Sequence, residues 1–178
     1  MCKINLGKAA GNAMAKEIER KFLVASDEWR NRADRGTCLL QAYIVTMDDR
    51  SVRVRLMDDK RAKLTIKIGT GSMTRDEFEY EIPVADARDL MSKAIGLIIE
   101  KTRYEVKHGG FVWEVDVYGG AHQGLLIAEV ELSAEGDTPD LPAWLGTEVT
   151  GDPHYSNQYL STNPLASKAD HELSYSPF

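Results

Sequence analysis

The chain has 178 residues, with 22 Lys+Arg against 28 Asp+Glu and a formal net charge of −6. Its 43% hydrophobic and 28% charged residues suit one soluble globular domain with a real core and exclude a disordered chain. The acidic balance argues against a general nucleic-acid surface, and no run approaches the roughly 18 apolar residues of a membrane helix.

Two cysteines and four scattered histidines provide neither a disulfide framework nor paired metal-ligand spacing, so a cytoplasmic location is expected. Met14-Ala15-Lys16 reads as a second start. Residues 1–13 are therefore set aside as a tail or alternative start, and 14–178 as a single domain with a C-terminal helical tail.

In chain order, Glu17 to Val24 reads as a strand. Ser26 is placed to cap a short helix over Asp27 to Ala33, with Asp27 and Glu28 in its first turn. Cys38 to Thr46 is rich in β-branched and aromatic residues. Ser51 to Met57, Ala62 to Ile68 and Glu77 to Ile82 then alternate with period 2, separated by Asp48-Asp49, Asp58-Asp59 and a Gly69 to Ser72 loop. The period changes over Pro83 to Ile95, where Ala87, Leu90, Met91 and Ala94 form a helical stripe that Gly96 ends. Strands resume at Ile98 to His108, Phe111 to Tyr118 and Leu125 to Ser133, with Gly109-Gly110 and Gly119-Gly120 as turns. The Pro- and Gly-rich remainder carries short helical signals at Asn157 to Ser161 and Pro164 to Lys168. The pattern predicts an α+β, mainly antiparallel fold of about eight strands, enough to close into a barrel.

Sorting strand residues by face gives unusually uniform charged rows. Glu17, Glu19 and Lys21 share a face, as do Arg53 and Arg55; Lys63, Thr65 and Lys67; and Glu77, Glu79 and Glu81. Lys101, Arg103, Glu105 and Lys107 share another, as do Glu114 with Asp116 and Glu129 with Glu131. Two arrangements are open: a sheet with a solvated charged face, or a barrel with charge inside. The second needs a polyanion for the bases and a hard cation for the acids, because unpaired buried charges cost several kcal/mol each. Carboxylates without His or Cys favour Mg²⁺ or Mn²⁺, and arginine pairs suit phosphate.

Glu17-x-Glu19-x-Lys21, Gln41-Ala42-Tyr43, Arg53-x-Arg55, Leu64-Thr65-Ile66-Lys67, Arg75 and Glu77 to Glu81 occur in that order. Glu100-Lys101-x-Arg103, Trp113-Glu114-Val115-Asp116, Gly124-Leu125, Ala128 to Glu131, and Leu145-Gly146 to Tyr155-Ser156-Asn157 follow. In this combination, from about Lys16 to Leu160, the sequence resembles the CYTH family, or triphosphate tunnel metalloenzymes, and most of all its bacterial inorganic triphosphatases.

The resemblance implies an eight-stranded closed tunnel-like barrel with a charged lumen and a few flanking helices. It implies a small-molecule triphosphate as substrate and Mg²⁺ or Mn²⁺ as cofactor. Lys21, Arg53, Arg55, Lys67, Arg75, Lys101 and Arg103 would bind phosphate. Glu17, Glu19, Asp116, Glu129 and Glu131 would hold metal, and Glu17, Glu19, Lys21, Glu129 and Glu131 would be catalytic. Glu77, Glu79 and Glu81 are either scaffold or site, and the C-terminal segment would plug one tunnel end.

The expected reaction is metal-dependent hydrolysis of inorganic tripolyphosphate to pyrophosphate and phosphate. Thiamine triphosphatase, which would need an aromatic shelf from Trp113, Tyr155 or Tyr43, is the alternative. A non-catalytic polyphosphate- or nucleotide-binding module is a further one. No nucleic-acid or membrane partner is expected, and the sequence leaves a homodimer open.

Overall fold

The computed structural model describes residues 15–69, 74–134 and 136–164, without the side chains of 15–17, 74 and 75. Nine strands form one antiparallel sheet: β1 (Ala15–Val24), β2 (Thr37–Thr46), β3 (Arg50–Met57), β4 (Arg61–Ile68), β5 (Thr74–Ile82), β6 (Ile95–His108), β7 (Phe111–Tyr118), β8 (Leu126–Glu131) and β9 (Leu145–Glu148). The order is β5-β4-β3-β2-β6-β7-β8-β1-β9, and β1 also pairs with β5. Ala15 to Ile18 lie opposite Glu77 to Thr74, while Glu19 to Leu23 lie opposite Glu131 to Ile127. This double pairing of β1 carries the ladder round the eight predicted strands and back to its start.

The tight hairpins follow from local chemistry. Asp58 and Asp59 between β3 and β4 take φ of 50° and 58°, and Gly109 and Gly110 between β6 and β7 take 58° and 82°. Gly109-Gly110 form a two-residue hairpin and Asp58 to Lys60 a three-residue one; in both, two consecutive left-handed residues match the twist of the strands, a conformation open to Gly and tolerated by Asp.

Alternation sends apolar side chains outward under cover. Ile18, Phe22, Val106, Trp113, Val115, Ala128 and Val130 pack with Trp29 and Trp144. Trp29 comes from a 3-10 turn over Asp27–Arg32, and Trp144 from the connection after β8. On the opposite wall Ala42, Val54, Leu56 and Ala62 pack under Ala87 and Met91 of α1 (Val84–Met91). At one end of the barrel Ile99, Tyr118 and Ile127 meet Leu160 of α2 (Asn157–Leu160).

Several boundaries differ from expectation. The Asp27 turn is 3-10 and Ser26 makes no side-chain cap. α1 ends at Met91, and β6 begins at Ile95, so Gly96 lies inside a strand. There its φ is +74°, and a Cβ would sit 2.1 Å from the Ser161 carbonyl oxygen, so the close approach of the α2 segment requires glycine. Gly119-Gly120 opens a longer loop with a 3-10 turn at Gly120–His122, and β9 was not anticipated in the Pro- and Gly-rich stretch. The helical signal at Pro164 to Lys168 runs beyond the described residues, as do residues 1–13. No described helix is long and apolar enough to cross a membrane.

Candidate active site in the barrel lumen

Residues directly opposite on neighbouring strands share a face, so register assigns the lumen. Lys21 lies opposite Glu129, Glu129 opposite Glu114, Arg103 opposite Asp116, and Glu19 opposite Glu131. On the other half, Gln41 lies opposite Arg55, Arg55 opposite Lys63, Arg53 opposite Thr65, Thr65 opposite Glu79, and Lys67 opposite Glu77. Gln41 is also opposite Ile99 of β6, which joins the two halves on one inner wall. Glu17 and Arg75 are opposite each other on β1 and β5, but their side chains lie outside the described residues.

Inside, the charges interlock. Lys21 Nζ lies 2.7 Å from Glu129 Oε1 and 2.9 Å from Glu19 Oε1. Arg103 donates to both oxygens of Asp116 at 2.7 Å, to Glu129 Oε2 at 2.7 Å, and to Glu114. Lys101 is ion-paired to Asp116, and neither side chain is exposed. Lys67 lies 3.3 Å and Arg53 3.9 Å from Glu77, and Lys63 binds Glu79. Glu77 thus holds Lys67 and Arg53 in place, and Glu79 meets Lys63 and Thr65, although Glu79, like Glu81, is exposed.

Electrostatics follow from burial. Lys101 is pushed down to about 8, first because burial disfavours the ammonium and also because Arg103 repels it, with Asp116 opposing. Arg55 is lowered to about 10 by burial and by Arg53 and Arg103. Glu129 is held well below the carboxylate range: burial opposes its charge, but Lys21, Arg103 and Lys101 outweigh that. Asp116 is lowered in the same way by Arg103 and Lys101. Among the described residues no carboxylate lies within ion-pair distance of Arg55, whose Nε instead donates to Gln41 Oε1 at 3.0 Å.

The family's divalent metal can be tested against these side chains. Among the described residues no three Asp, Glu, His or Cys side chains stand together as a ready metal cage. Glu19 and Glu129 nevertheless meet at the Lys21 ammonium, and Glu129 Oε2 also accepts from Arg103. Their donor set is carboxylate oxygen, which suits hard Mg²⁺ or Mn²⁺, so the residues fit such an ion in kind. Asp116 has both oxygens taken by Lys101 and Arg103, and Glu129 likewise shares its two between Lys21 and Arg103.

The lumen is blind at one end. Ile99, Tyr118 and Ile127 form an apolar floor against Leu160, and Tyr118 donates its hydroxyl to Asn157 Oδ1 at 2.9 Å. At the far side Lys63, Glu79 and Glu114 keep about 30% exposure, which marks the open mouth.

The CYTH domain family matches residues 15–158. The chain belongs to the CYTH domain family. An inorganic triphosphatase of Acetivibrio thermocellus is 45% identical over 85% of this chain and 96% of its own. One of Nitrosomonas europaea is 34% identical over 82% and 96%. The crystal structure of the inorganic triphosphatase NE1496 aligns at a TM-score of 0.60 and 33% identity, over 85% of this chain and 98% of that one.

Within this CYTH barrel, Lys21, Arg53, Arg55, Lys67, Lys101 and Arg103 gather in one lumen with Glu19, Glu129 and Glu131. Trp113 does not line it, being fully buried in the outer core; Tyr43 is buried on the inner face, and Tyr155 packs beside the floor. Gln41, Thr65 and Tyr118 line it without having been named as site residues. Gln41 and Thr65 lie within motifs of the family resemblance, whereas Tyr118 shows only as an aromatic residue in phase with a charged row; register, which the sequence does not supply, places all three there.

Proposed function

We propose that this chain hydrolyses inorganic tripolyphosphate to pyrophosphate and phosphate inside the tunnel, with Mg²⁺ or Mn²⁺. The observation that carries the reading is the convergence of six cationic side chains on one lumen, with Arg55 lacking a carboxylate partner among the described residues. A linear triphosphate supplies the missing negative charge.

In this reading Arg53, Arg55, Lys67, Lys101, Arg103 and Arg75 bind the phosphates. Their charge balances that spread over phosphoryl oxygens as the bond to the leaving group breaks. Asp116 and Glu77 fix the cations in line. Glu17, Glu19, Glu129 and Glu131 would hold the metal, which supplies further charge neutralisation across the phosphates. Lys21, between Glu19 and Glu129, orients those carboxylates. Water attacks the terminal phosphorus, pyrophosphate departs, and a lumen carboxylate takes the water's proton. The inorganic triphosphatase relatives support this choice of substrate over thiamine triphosphate, and Trp113 cannot provide an aromatic shelf at the mouth.

Phosphate release measured over tripolyphosphate, thiamine triphosphate, ATP and pyrophosphate with each metal tests the reading. Tripolyphosphate should be turned over fastest. Absence of release from every triphosphate with both metals refutes catalysis.

A further inference from the structure

Two buried donors on the lumen wall have no hydrogen-bond partner among the described residues: Gln41 Nε2 and Arg53 Nε. Gln41 is 0% exposed and Arg53 6%. A buried donor left unpaired is costly, because it has given up its hydrogen bond to water and gained none in return. The Gln41 amide cannot escape by turning over. Arg55 Nε is a donor only, and at 3.0 Å it requires the amide oxygen on its side, which leaves the NH₂ pointing elsewhere. Gln41 stands opposite both Arg55 and Ile99, so it sits between the arginine row and the apolar floor. Tyr43, next along the same face, lies opposite Arg53.

We propose that Gln41 is a substrate-contacting residue, whose Nε2 donates to a phosphate oxygen at the blind end of the lumen while Oε1 is anchored by Arg55. This rests on the triphosphate reading and adds to it a neutral donor. Such a donor requires an acceptor oxygen at the depth of the floor. It therefore fixes how far the leading phosphate enters, and it does so without adding to the repulsion among the cations.

The competing role is purely structural, with Gln41 merely holding Arg55. A double-mutant cycle separates the two. Metal-free calorimetry of the full chain with tripolyphosphate is carried out on the wild type, Gln41→Leu, Arg55→Leu and the double variant. If Gln41 touches phosphate, Gln41→Leu weakens binding roughly tenfold in both backgrounds, the size of one hydrogen bond to a charged group. If Gln41→Leu has no effect once Arg55 is gone, or none in the wild type, the proposal is overturned. Gln41→Met repeats the comparison should the leucine variant not fold. A wild type that neither binds nor hydrolyses tripolyphosphate overturns the functional reading and this inference together. A wild type that does both, with a silent Gln41→Leu, overturns the inference alone.

Discussion

Asp116 shows how single residues make a charged interior tenable. It is fully buried and accepts from Lys101 and from two nitrogens of Arg103. Arg103 has further acceptors in Glu129 and Glu114, but Lys101 has no other ion pair among the described residues. Asp116→Asn should therefore leave a buried ammonium without its counter-charge. Breaking one partner of such a pair costs about 3 kcal/mol or more. Lys101 already sits at about 8 through burial and its arginine neighbour, so it would shed its proton at neutral pH. Urea unfolding should show the lowered stability, and an unchanged midpoint would mean that Asp116 is not what holds these cations. Exposed pairs such as Arg88–Asp59 deserve no comparable weight, since solvent screens them.

At the scale of elements, α2 and the Gly120–His122 turn close the tunnel floor by packing. His122 is 1% exposed and lies edge-on to Tyr118 at 6.2 Å. Burial lowers its pKa, so the folded chain holds it neutral while the unfolded chain titrates near about 6.5. Between the two pKa values the unfolded state binds more protons. Its contribution to stability is therefore full above about pH 6.5 and declines as pH falls below that. His122→Phe keeps the aromatic contact and removes the titration. Denaturation at pH 7.5 and 5.5 should show a smaller loss for the variant than for the wild type, and equal losses would assign the acid sensitivity elsewhere.

For the whole molecule, the barrel brings Lys21, Arg53, Arg55, Lys67, Lys101 and Arg103 from β1, β3, β4 and β6 into one space. Burial first, and then repulsion from Arg53 and Arg103, lowers the Arg55 pKa to about 10. A polyanion that relieves this repulsion binds the folded state alone. Tripolyphosphate at about 100 times its Kd should add about 2.7 kcal/mol of stability. For a domain of this size that is a rise in Tm on the order of 5–10 °C. Inorganic phosphate at the same concentration should do less, because it meets fewer of the cations. Equal shifts would mean that the lumen's cations do not select the longer anion, and no shift would refute binding of tripolyphosphate.

Eight of the nine strands, and the parity of their faces, are legible in the sequence. Period-2 alternation over Arg50–Met57 and Arg61–Ile68 leaves one way to separate Val54, Leu56 and Leu64 from Arg53, Arg55 and Lys67. Motif order also carried the family, which the relatives bear out. Alternation says that two faces differ but not which one turns inward. That was decided by long-range packing: Trp144 and Trp29 cover one outer wall, α1 covers the other, and β1 pairs with both β8 and β5. Register decided the rest. Only the pairing of β2 with β3 and β6 sets Gln41 between Arg55 and Ile99, because partners far apart in sequence leave no local trace of how they align. β9 was illegible for the same reason, since four residues at Leu145–Glu148 become a strand through the edge β1 offers them.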